Sequence, residues 1–161
     1  MSVPQPTARG TPGGTALDDG FQTFVTFEND ATVEFRETEV QPFGIDGGER
    51  IDITDMHNVD VMTYAPQSLY DVTDANFTCR YDPAVLPGII ALINVKQTIT
   101  ITHSDGSTWN AFGYLRSFTP ASNTRGTTPT ASGVISFCNT DASGDEAAPD
   151  YHVNATGTAT Y

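Results

Sequence analysis

Two alternating runs meet at an Asp105-Gly106 pair, and that pattern fits a β-hairpin and little else. Ile99 and Ile101 alternate with Thr98, Thr100 and Thr102, the period of two by which a strand sends successive side chains to opposite faces. Asp-Gly supplies the positive φ values that a tight hairpin turn needs. Strands are therefore expected over residues 97–103 and 108–118. A lone hairpin is marginal in water, so the rest of the chain must cover its apolar face.

The preceding residues offer partners. A first strand is expected over 21–28, followed by a turn at Asn29-Asp30. In 32–41 the alternation puts Val33 and Phe35 on one face and Thr32, Glu34, Arg36 and Thr38 on the other. Pro42 and the glycine-rich run 44–48 break that strand, and 50–56 resumes it with Ile51 and Ile53 expected inward. Residues 57–74 are too long for a hairpin turn and carry Val59, Val61, Met62, Tyr64, Leu69 and Tyr70. Loops this long are usually functional or disordered, and the apolar content points to an ordered contact surface. Phe77, Cys79 and Tyr81 then alternate with Thr78 and Arg80 until Asp82-Pro83 ends the strand. Pro87 ahead of an apolar run predicts one short helix over 86–94. A last strand over 131–139 sets Ile135 and Phe137 opposite Val134 and Cys138, which leaves its inward face open.

The fold class that follows is all-β with one short helix: an antiparallel β-sandwich of about seven or eight strands, since two facing sheets let that many half-apolar strands bury their faces. Residues 21–139 form the folded domain. Residues 1–20, rich in Pro, Gly and Thr, read as a flexible N-terminal arm, and 140–161 as a loosely held C-terminal arm.

The chain carries 20 acidic residues against 7 basic ones, a formal net charge of -13, and its single lysine is Lys96. With no cluster of Lys or Arg, the sequence argues against a nucleic-acid-binding surface. Cys79 and Cys138 sit inside apparent strands, outside any metal or redox spacing, and are expected to be free thiols. Residues 1–20 lack a basic start followed by an apolar run, and no segment reaches the ~18 apolar residues of a membrane helix. The chain is thus expected to be soluble and to start life in a cytoplasm.

Candidate chemistry is thin. His103-Ser104-Asp105 holds the residue types of a hydrolase triad, but sequence neighbours cannot face one another in relay geometry. His103 is instead expected to end a strand. Residues 141–145 resemble a calcium loop, except that Glu146 stands where Gly is required and His152 where the final Glu belongs. Glu37 and Glu39 are expected to share the solvated face of an edge strand. Asn76-Phe-Thr and Asn154-Ala-Thr match the glycosylation pattern, which has no meaning unless the chain is secreted. Neither a cofactor, a metal, a small-molecule substrate nor an enzymatic activity is expected.

Taken in order, Ile51-Asp-Ile-Thr54, a long loop, Tyr81-Asp-Pro83, a short helix, Asp105-Gly106 and Ser117-Phe-Thr-Pro120 resemble the tail tube (major tail) proteins of long-tailed bacteriophages. Ala65-Pro66-Gln67 departs from the Pro-Gly turn expected in the loop. The resemblance covers about residues 21–139. It implies a subunit that joins its neighbours into a ring-shaped β-barrel, a homo-hexameric ring, with rings stacked into a tube. Such a tube would be a conduit for genome delivery with an acidic, DNA-repelling lumen. It also implies a place in the virion tail after assembly in the host cytoplasm. The partners would be further copies of itself and the tape-measure and tail terminator proteins, with DNA passing through without specific binding. On this reading Glu34, Arg36, Asp52, Thr54, Thr78 and Arg80 line the lumen, while Val61, Met62, Tyr64, Leu69 and Tyr70 stack one ring on the next. The alternative is a monomeric β-sandwich binding module, such as a virion decoration or receptor-binding domain.

Overall fold

The two alternating runs around Asp105-Gly106 form the centre of the main sheet. In the computed structural model, which describes residues 9–10, 16–17, 23–29 and 35–153, thirteen strands follow one another. They are β1 (Arg9–Gly10), β2 (Ala16–Leu17), β3 (Phe24–Phe27), β4 (Arg36–Gln41), β5 (Ile45–Asp46), β6 (Ile51–Asp52), β7 (Tyr64–Ala65), β8 (Asp71–Val72), β9 (Ala75–Arg80), β10 (Gln97–Thr102), β11 (Thr108–Pro120), β12 (Thr130–Phe137) and β13 (Asp150–His152). One helix, α1 (Leu86–Leu92), stands between β9 and β10. The main sheet has 7 strands in the order β3-β10-β11-β12-β9-β4, with β13 added to β11. Every pairing within it is antiparallel.

Ile99, Ile101, Leu115 and Ile135 lose all their exposure in the core. This settles the inward face of β12, where Ala131, Gly133 and Ile135 are buried. Gly133 stands opposite Phe77, and a methyl group there would enter the Phe77 ring. Phe35 packs on Phe77 with ring centroids 4.9 Å apart and on Phe27 at 5.6 Å.

The contact between Phe27 and Phe35 joins the two edge strands of the sheet. Beside it, the Val25 N–H of β3 donates to Oε1 of Glu37 in β4 at 3.0 Å. One sheet, curled until its edges meet, thus supplies the facing layers, and no backbone ladder closes it into a barrel. A bulge brings Glu37 to this place. Glu37 stands opposite Cys79 and Glu39 opposite Thr78, so Thr38 is an extra residue and the inside-outside alternation switches there. The expected common face of Glu37 and Glu39 is thereby overturned: Glu37 is half-buried and Glu39 exposed. Phe35 is buried as expected; Val33 and the turn residue Asp30 lie outside the described residues.

The strand expected over 50–56 and the loop expected over 57–74 also take a different form. After Pro42 the β4/β9 ladder continues as β5 on β8 and then as β6 on β7. Residues 35–80 therefore make one long, twice-interrupted hairpin. Its outer part has left the main sheet, so Ile51 and Ile53 are 49% and 53% exposed rather than inward. The return arm holds β7 and β8, and Val72 is buried.

Asp82 Oδ1 accepts from the Ala84 N–H and opens a 3-10 turn, Pro83–Val85, that runs into α1. Ile89 and Leu92 are the buried residues of α1. Asn94, with φ 60°, marks the end of the segment expected to be helical. Past β12 the chain does not simply trail away. β13 pairs with the start of β11, and Tyr151 packs on Trp109 with ring centroids 5.4 Å apart. Of the two arms expected from sequence, only the short pair β1–β2 and residues 140–153 are described.

The Glu37 bridge has a measurable consequence. Glu37→Ala removes the acceptor and leaves the Val25 N–H without it, which should cost about 1–3 kcal/mol. Glu37→Gln, which keeps a carbonyl oxygen, should recover most of that in urea unfolding. Equal stability of Glu37→Ala and the parent would show that the edges do not depend on this bond.

Candidate assembly surface

Most of the large hydrophobic residues that remain exposed fall within the 35–80 hairpin. Ile45, Ile51, Ile53, Met56, Val59, Val61, Met62, Leu69 and Tyr70 are all exposed, Met56 fully and Val59 at 91%. A monomer gains nothing from so many exposed apolar side chains on one hairpin. The conformation is nevertheless specified. Asp52 Oδ1 accepts from the Thr54 N–H at 2.9 Å, and Asp55 Oδ1 from the His57 N–H at 2.8 Å. Asn58 Nδ2 donates to the Val61 carbonyl and the Thr63 hydroxyl, and Ile53 N–H to the Thr63 carbonyl. Hydrogen bonds from the Thr54 side chain and then its backbone N–H hold Asp52 below the usual carboxylate range. The tip is an ordered display of apolar side chains.

Of the residues expected to stack rings, Val61, Met62, Leu69 and Tyr70 are exposed. Tyr64 is half-buried. Its ring lies under the Arg50 guanidinium, 3.6 Å from the ring centroid, and its hydroxyl contacts the Met62 sulfur. Tyr64 therefore braces the hairpin. Leu69 and Tyr70 border a cleft of about 110 Å³ whose other wall is 146–149. The sequence reading passed over Ile45, Ile51, Ile53 and Met56 as contact residues. The signal that could have found them is the break at Pro42 and Gly44, after which inward and outward no longer refer to the main sheet.

The residues expected to line a lumen divide into two groups. Arg36, Thr78 and Arg80 come together on the outer face of β4 and β9, with Arg36 directly opposite Arg80. Asp52 and Thr54 do not join them, because they belong to the outer hairpin. Glu34 lies outside the described residues. The charges described on this outer face are thus Arg36, Arg80 and Glu39, the last opposite Thr78. Among the described residues the ion pair is Arg116 with Asp74 at 2.9 Å, and both side chains are largely exposed.

Two further titratable groups have altered surroundings. Cys79 and Cys138 are free thiols. Burial, with Glu37 adding to it, pushes the Cys79 thiol up to about 11. His103, the residue after β10, stands edge-on to Trp109 with centroids 4.7 Å apart, and burial lowers its pKa while Asp105 opposes that. Asp105 is engaged within its own turn, where Oδ1 accepts from the Ser107 N–H and Oδ2 from the Ser107 hydroxyl. The Ser-Asp pair next to His103 thus shapes a turn.

No protein family and no curated protein matches the chain. Among solved structures, similarity extends to a chain in the cryo-EM structure of the anti-feeding prophage (AFP) baseplate, 6-fold symmetrised, at 9% identity and a TM-score of 0.48. That match covers 71% of this chain and 85% of the other. A type six secretion system protein is similar at 9% identity and a TM-score of 0.43, over 80% of this chain and 90% of that one. At such identities and scores, what the chain does must be read from its own geometry.

The two altered groups give direct tests. Cys79 should resist alkylation near pH 8 in the native protein, since the thiolate is the reactive form, and react at once in urea. Comparable native rates for Cys79 and Cys138 would contradict its burial. For His103, the folded state favours the neutral ring, so its contribution to stability is complete above the ordinary pKa near 6.5 and is lost as pH falls below it. His103→Gln should flatten the fall in unfolding free energy from about pH 7 to about pH 5. An unchanged slope would remove His103 from the pH response.

Proposed function

We propose that this chain is a structural subunit of a phage tail, a tail tube protein whose copies close into hexameric rings and stack into a conduit for DNA. The observation that carries the proposal is the ordered, apolar tip of the 35–80 hairpin. Specific protein interfaces bury roughly 800 Å² on each partner around an apolar centre. An extended hairpin displaying Ile53, Met56, Val59, Val61 and Met62 is suited to form such a centre against another copy. The exposed edges of β3 and β4 away from the Glu37 bridge offer backbone groups through which neighbours could join sheets into a barrel.

In this reading the subunit performs no chemistry. The net charge of -13 makes a tube wall that repels phosphates, so DNA slides through without specific binding. The other partners would be the tape-measure and tail terminator proteins that the sequence resemblance implies.

Sedimentation of the purified chain over a range of concentrations tests the proposal. The parent should form large species, and Val61→Asp or Leu69→Asp should remain a folded small species with unchanged circular dichroism, because one buried carboxylate at the centre of a contact costs several kcal/mol. Association of both variants at the parent's concentration would remove the hairpin from the interface. A parent that stays monomeric throughout would favour an isolated binding module.

A further inference from the structure

Two pairs of like charges face each other across neighbouring strands in this protein. Arg36 of β4 stands opposite Arg80 of β9, and Asp46 of β5 stands opposite Asp71 of β8. Side chains directly opposite on antiparallel strands have Cβ atoms roughly 5 Å apart, and like charges there destabilise the sheet. All four residues are exposed. With 7 basic residues among 161, placing two of them face to face is a cost that the isolated chain does not recover.

The two pairs belong to one hairpin, the arginines at its base and the aspartates about midway, where it leaves the main sheet. Arg80 pairs with Thr130, the first residue of β12. Asp71 Oδ1 accepts from Nδ2 of Asn139, just past the last residue of β12, at 2.7 Å. They are therefore separated by roughly the length of β12, 8 residues or about 26 Å at roughly 3.3 Å per residue. Some of the other charges share this division, with Asp82 at the arginine end and Arg50 beyond the aspartates as exceptions. Arg125 lies in the turn joining β11 to β12, at the arginine end. Asp141, Asp145, Glu146 and Asp150 are exposed in the segment that follows β12, at the aspartate end.

Neither pair makes a close ion pair among the described residues, although Glu39, opposite Thr78, shares the outer face of β4 and β9 with the arginines. Arg36 and Arg80 have no ion-pair partner among the described residues, and nearby Asp82 caps the turn before α1. Asp46 Oδ1 accepts from the Gly48 N–H, and Asp71 Oδ1 from the Val72 N–H and Asn139. No described residue bonds to the second oxygen of either carboxylate.

We propose that the Arg36/Arg80 pair of one copy docks on the Asp46/Asp71 pair of the next, head to tail. The proposal rests on the self-assembly reading above and adds the direction in which copies join. Such a contact is heterologous: each copy uses one end to give and the other to receive, which generates rings or open stacks rather than closed two-fold dimers. It converts two repulsive pairs into four attractive neighbours, and it sets the apolar hairpin, which leaves the sheet at the aspartate end, against the following copy.

The test uses two full-length variants. Arg36→Glu with Arg80→Glu makes both ends acidic, and Asp46→Lys with Asp71→Lys makes both ends basic. Each alone should need at least about tenfold more protein to associate than the parent, the scale of close charge pairs across an interface. An equimolar mixture should recover the parent's behaviour, because acidic ends then alternate with basic ones. Parent assembly should also weaken between about 0.1 M and 1 M salt, as the screening length falls from about 10 Å to about 3 Å. Either variant assembling like the parent would overturn the proposal. So would a mixture no better than its components when both retain the parent's melting temperature. Loss of duplex DNA binding in the arginine variant with unchanged association would assign that pair to nucleic acid instead. A parent that never associates defeats the assembly reading itself, whereas a parent that associates regardless of both changes defeats only the docking of these ends.

Discussion

The whole arrangement depends on the two edges of one sheet being held together over Phe35. A sheet of 7 strands with an apolar inner face must cover that face, and here it does so by curling. The curl needs something to end on. The extra residue at Thr38 turns Glu37 inward, where its carboxylate takes the Val25 N–H and the Phe27 and Phe35 rings meet. A carboxylate accepting a backbone N–H is a strong bond of limited reach. It fixes where the edges meet, yet it leaves the rest of their backbone groups available.

Because the core is completed in this way, the outer part of the 35–80 hairpin contributes little to it. Val72 is the last buried residue of the return arm before the main sheet begins again. The segment farther out is held by the short β6/β7 ladder, turn hydrogen bonds and the Arg50–Tyr64 contact. The same polypeptide thus divides its apolar residues between an interior that stabilises the fold and a display that does not. That division leaves an apolar surface that is extended and still ordered within a single copy.

Much of the core was legible from alternation alone. Ile99, Ile101, Phe77 and Cys79 are buried where the period of two puts them, and Asp105-Gly106 makes its turn with Gly106 at φ 85°. Alternation failed where its assumption failed. It presumes that a strand stays in one sheet and keeps its register, whereas 50–56 leaves the sheet and the bulge at Thr38 shifts the parity within β4. Nothing local to Ile51 and Ile53 distinguishes an apolar face turned to the core from one turned to a partner. The like-charge pairs were beyond sequence reading for a related reason: Arg36 with Arg80, and Asp46 with Asp71, are far apart in the chain and meet only once the register is known. The half-buried setting of Tyr64 likewise comes from Arg50, a residue that alternation treats as solvent-facing.

An apolar tip, two like-charge pairs set apart along the hairpin and a core that needs neither are the features on which the proposed assembly rests. Electron microscopy of the purified, full-length chain tests this most directly. Rings with six-fold symmetry or stacked tubes, with the Asp46/Asp71 end of each copy against the Arg36/Arg80 end of another, are the result expected. Discrete monomers at every concentration, or two-fold dimers joined through like ends, would contradict it.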